Sequence, residues 1–172
     1  AELVTTFDTP RETPRGTDVT GRYARWLVET MWVATAAFVV LGTGWTINQA
    51  TTTHFGWIMS AVFFAVALVV MGIRAVRLTV ALRQVGNYQW EAHPVTVHRW
   101  RGDPAVVGNL HLVLNDREGL PLTVRMATVE LVATIQMTNQ VWVAGPPEAG
   151  KITAVGVPGY PIFAEGAYRK VS

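Results

Sequence analysis

Two long apolar runs dominate the first half of the chain, WLVETMWVATAAFVVLGTGWTI at 26–47 and GWIMSAVFFAVALVVMGI at 56–73. As a helix the first reaches about 33 Å at about 1.5 Å per residue, enough to cross a hydrocarbon core of about 30 Å. The second continues through RAVRLTVALRQ to about Gln84, because no helix breaker intervenes before Gly86. Trp26, Trp45 and Trp57 lie near the ends of the runs, where amphipathic rings favour a membrane interface. The polar stretch NQATTTHF at 48–55 joins them. The pattern predicts a transmembrane helical hairpin over 25–88, with spans at about 26–47 and 56–84.

From Gln89 onward the period changes. Short apolar runs, VTVHRW at 95–100, VVGNLHLVLN at 106–115, LPLTVRM at 120–126, VWVAG at 141–145 and KITAVGV at 151–157, alternate with Gly, Pro, Asn and Asp clusters. Such spacing predicts five to seven strands and a small all-β barrel or sandwich over 89–172. LHLVLNDREGLPLTV reads as a hairpin, with Leu110, Leu112 and Leu114 on one face. Residues 128–137, TVELVATIQM, fit either period: Val129, Val132, Ala133 and Gln136 share a helical face, while the richness in Thr, Val and Ile favours a strand, which is the expectation. Residues 1–24 carry Pro10, Pro14, Gly16 and Gly21 among near-cancelling charges and read as an extended or disordered tail. The fold class is therefore α+β: two membrane helices followed by a β-domain.

Charge adds an orientation. Arg22 and Arg25 flank the first run and Arg74, Arg77 and Arg83 the second, while 48–55 has neither Lys nor Arg. The positive-inside rule then puts both termini and the β-domain in the cytoplasm and the 48–55 loop outside. The weight of Arg, Ala, Val and Trp looks like a GC-rich bacterial coding bias, so the expected membrane is a bacterial plasma (inner) membrane. Arg25, Arg74 and Arg77 are expected among phospholipid head groups. Half of the 172 residues are apolar and 15% are charged, in keeping with a membrane protein. A net charge of +2 is too small to argue for nucleic acid, and none is expected as a partner. The chain begins at Ala1 rather than Met, which leaves its native start open.

Candidate chemistry is sparse. With no cysteine and only Ser60 and Ser172 as serines, thiol and serine nucleophiles are excluded in practice. His54, His93, His98 and His111 have no metal spacing, and the last three converge only if neighbouring strands bring them together. Asp103, Asp116 and Glu118 lie in turn sequences, where Asp belongs for backbone reasons. EAGKITAVG at 148–156 lacks the spacing of a phosphate loop and reads as a turn. No enzyme activity, metal or cofactor is expected.

Glu29, the acid inside the first run, marks either a proton or partner contact or an interfacial carboxylate reaching back to Arg25. Thr30, Ala37 and Gly44, with Ala61, Ala65 and Gly72, form small-residue stripes that would pack the two helices together. Trp32, Phe38, Phe63 and Phe64 would then face lipid or another membrane protein.

Residues 26–84 followed by VWVAGPPEAGKITAVGVPGYPIFAEG at 141–166 resemble small actinobacterial two-span membrane proteins with a cytoplasmic β-domain. The resemblance lies in layout and in the Gly/Pro-rich β segment. It implies an accessory subunit of a larger envelope complex, such as an Mce-type lipid-import transporter, and carries over no functional residue. The expected function is a non-enzymatic accessory or scaffold subunit of a larger integral membrane complex. The alternative is a tethered regulatory module whose β-domain recognises a small ligand, lipid head group or peptide.

Overall fold

The computed structural model describes residues 19–52, 56–102, 108–117 and 119–169. Two long helices, α1 (Val19–Thr52) and α2 (Gly56–Asn87), precede β1 (Glu91–Gly102), β2 (Gly108–Leu114), β3 (Leu120–Ala127), α3 (Val129–Thr138), β4 (Gln140–Ala144), β5 (Ile152–Gly156) and β6 (Phe163–Tyr168). The chain forms two compact units. One is the helical hairpin Arg25–Thr79; the other joins the start of α1, through Ala24, to everything from Val80 onward.

Within the hairpin, threonines are accommodated in apolar helices by bonding backward. Thr35, Thr43, Thr46 and Thr79 each donate to the carbonyl four residues earlier at 2.8 Å, so none of these four hydroxyls is left bare. The inward seam of α1 is Met31, Thr35, Phe38 and Gly42, and that of α2 is Phe64, Leu68, Met71, Ala75 and Leu78. Alternating steps of three and four are the spacing of two helices packed side by side. Large meets small at the centre: a Cβ on Gly42 would lie 2.8 Å from Phe64 Cδ1. The rings of Phe38 and Phe64 meet at 5.1 Å, and Phe63 stands edge-on to Phe64 at 5.7 Å. Trp32 Nε1 donates to Thr79 Oγ1 at 3.1 Å, pinning the two helices.

In the second unit the six strands form a closed, wholly antiparallel barrel in the order β1-β2-β3-β6-β5-β4. Pleating sends alternate residues inward. Leu112, Leu122 and Tyr168 stand on paired positions, as do Leu110, Val124 and Gly166, and all face one core. Leu110, Leu112 and Leu114 are at most 1% exposed, as the alternation predicts; cutting any of them to Ala should cost about 2–5 kcal/mol. Gly166 carries no side chain because the core leaves no room: a Cβ there would lie 2.7 Å from Val155 Cγ2.

The start of α1 is fastened to this barrel. Thr20 is fully buried, and its hydroxyl sits 2.9 Å from the Val157 carbonyl and 2.7 Å from that of Tyr160. Its methyl and the Trp90 ring crowd Gly156, at 3.3 and 3.1 Å from where a Cβ would stand.

Three expectations change. Residues 128–137 are helical: the Thr128 side chain accepts from Leu131 N, Asn139 closes the C-terminus in the left-handed region at φ 51°, and Leu131, Val132 and Ile135 enter the barrel core. Of the four residues expected to share a helical face, Val132 is buried, whereas Val129, Ala133 and Gln136 are exposed. Residues 19–24, read as tail, are the first turns of α1, held by Thr20; the rest of the tail lies outside the described residues. Finally, the last turns of α2, from Val80, belong to the same compact unit as the barrel.

Candidate functional site

On the hairpin the outward faces are apolar. Val33, Val40, Leu41, Met59 and Phe63 are 66–70% exposed, and both helices are long and apolar enough to cross a membrane. Of the aromatics expected to dock a partner, Trp32 and Phe63 are exposed, whereas Phe38 and Phe64 are half-buried in the seam. The small-residue stripe of α1 is displaced from its expected line. Thr30, Ala37 and Gly44 face outward, and nothing lies within 4 Å of a Cβ placed at Gly44. On α2, Ala61 and Gly72 are half-buried and Ala65 exposed. Ala61 and Ala65 edge an apolar groove of about 280 Å³ with Phe38, Gly42, Phe64 and Leu68. Arg25 and Arg74 are exposed and Arg77 half-buried. Glu29 is exposed and, among the described residues, forms no ion pair with Arg25.

The histidines part company. His54 lies outside the described residues. His93 points into the barrel beside the β2–β3 turn, 5% exposed, with Nδ1 2.6 Å from Asp116 Oδ2 and Nε2 3.6 Å from Glu91 Oε2. Asp116 engages Nδ1, whereas the contact of Nε2 with the exposed Glu91 carboxylate is longer than a hydrogen bond. The pair ties the start of β1 to the turn after β2, a contact between residues 23 apart that no local spacing could reveal. Nearby, burial pushes the Tyr168 phenol up to about 12. Thr153 opposes that rise slightly, but its own hydroxyl donates to the Ala144 carbonyl at 3.0 Å.

His98 and His111 do converge. The register of β1 against β2 slips between Val97 and Arg99, leaving His98 as an extra residue. Such a bulge re-aims side chains, and here His98 and Arg99, consecutive in sequence, both line one groove. His111 stands opposite Arg99 on β2, and its Nδ1 shares a hydrogen bond of 3.1 Å with Thr123 Oγ1 on β3. Arg169, just past β6, completes the wall; its backbone N–H donates to the Pro121 carbonyl at 2.9 Å, which holds it there. The groove measures about 320 Å³, and no carboxylate of the described residues lines it. Neither Arg99 nor Arg169 has a carboxylate partner among the described residues. Sequence reasoning weighed His98 and His111 as metal ligands against a default of surface or turn histidines and did not single out Arg99 with Arg169, which are 70 positions apart and come to line one groove only when β6 pairs with β3. Among the described residues no three His, Asp or Glu side chains are grouped to hold a metal ion.

Fold and site together define a class: an apolar two-helix hairpin followed by a six-stranded antiparallel barrel with a basic groove on its outer wall. No family model, curated protein or solved structure matches the chain.

Proposed function

We propose that the chain is a membrane-anchored, non-enzymatic accessory subunit. Its hairpin lies in the bilayer against a larger integral membrane complex, of the envelope-transport kind that the sequence resembles, and its barrel lies on the cytoplasmic side. One observation carries the reading: both helices keep large apolar side chains outward along their length, with none of the most apolar stretch of α2 buried within the chain. Such a surface is unfavourable in water and demands lipid or protein cover. The exposed Trp32 and Phe63 are the residues assigned to the partner. Solubilisation from the native membrane in a mild detergent, followed by mass spectrometry of what co-purifies, should recover a much larger assembly. A lone monomer or homo-oligomer would remove the proposal.

A further inference from the structure

We propose that the outer groove of β1–β2–β3 is a binding site for a phosphate monoester. Two guanidinium groups, Arg99 and Arg169, supply permanent positive charge that no carboxylate among the described residues neutralises. His98, His111 and Thr123 add polar groups from three different strands, and Thr123 is only 9% exposed, with its hydroxyl already oriented by His111.

The arrangement favours a tetrahedral oxyanion over a carboxylate. One arginine fork suffices for a flat carboxylate, whereas a phosphoryl group offers three oxygens to donors arriving from several directions. The parts are also set by the fold rather than by mobile loops. The bulge at His98 fixes the aim of β1, the His111–Thr123 bond ties β2 to β3, and the Pro121–Arg169 backbone bond seats the last residue. A free phosphate ester and the head group of phosphatidic acid present the same phosphoryl chemistry to this groove. The site rests on the barrel alone, so it stands whether or not the hairpin docks on a partner.

The test uses the full chain in maltoside micelles, which contain no phosphate. Thermal unfolding is followed against inorganic phosphate and, separately, water-soluble dihexanoyl phosphatidic acid, with chloride matching the ionic strength. A saturable rise in melting temperature is expected, and the double variant Arg99→Gln/Arg169→Gln should weaken the apparent affinity by about tenfold or more. Arg125→Gln, exposed on the same barrel but outside the groove, should leave it unchanged. Because both groove arginines are exposed and have no carboxylate partner among the described residues, the double variant should melt like the wild type when no ligand is present. A response to both probes assigns recognition to the phosphoryl group alone; a response to phosphatidic acid only assigns it to the lipid head group. No saturable response to either probe, or an equal loss in Arg125→Gln, overturns the proposal.

Discussion

Gly42 and Gly44 are two residues apart on one helix and face opposite fates. A side chain at Gly42 collides with the Phe64 ring, while one at Gly44 meets open space. Gly42→Leu should therefore destabilise the hairpin by about 1–3 kcal/mol through overpacking, and Gly44→Ala should be neutral or stabilising by up to about 1 kcal/mol through helix propensity. Chemical denaturation of both variants in the same detergent checks the contrast; equal effects would mean that the seam runs elsewhere. At Tyr168 the sign of a pH effect is fixed. Its phenol in the folded barrel titrates at about 12, above the ordinary value of 10.0, so the unfolded chain loses this proton first. Its contribution to stability is intact below pH 10 and disappears as the pH rises through about 12. Melting curves of wild type and Tyr168→Phe should run parallel near neutrality and diverge in alkali, with the wild type falling faster.

Among the elements, α3 shows what the sequence could and could not disclose. Strands β1 to β5 were legible because alternation and turn residues are local, and the β2–β3 hairpin follows from LHLVLNDREGLPLTV almost residue by residue. Over 128–137 the β-branched residues point to a strand, but tertiary burial outweighs a propensity difference of a few tenths of a kcal/mol per residue. The local signals that mattered were the caps, Thr128 before the segment and Asn139 after it. Thr128→Ala and Asn139→Ala should each cost about 1 kcal/mol in thermal or chemical unfolding of the chain. If neither is felt, the caps do not hold the helix. The hairpin seam was misplaced for a different reason. Small residues repeat every seven positions at Thr30, Ala37 and Gly44, but the sequence cannot say which line faces the partner helix; the bulk of Phe64 decides, since only Gly42 makes room for it. The basic groove was beyond reach altogether, because strand order, not spacing, sets Arg99 and Arg169 on the wall of one groove.

For the whole molecule, the proposed orientation makes a direct prediction. The native sequence has no cysteine, so a single Ala50→Cys, exposed near the end of α1, provides one unambiguous label. In intact cells a membrane-impermeant maleimide should react with it without permeabilisation. Reaction only after the membrane is opened would reverse the topology and move the barrel to the other side.

The fastening of Thr20 has a consequence for biogenesis. The first turn of α1 is among the earliest parts of the described chain to leave the ribosome, yet the carbonyls that seat it, on Val157 and Tyr160, are made more than 130 residues later. Strand β6, which joins β3 to β5, comes later still. A nascent chain stopped before residue 157 thus has both apolar helices but neither a closed barrel nor the carbonyls that seat the first turn of α1, and that connection waits until residues 157–168 are translated.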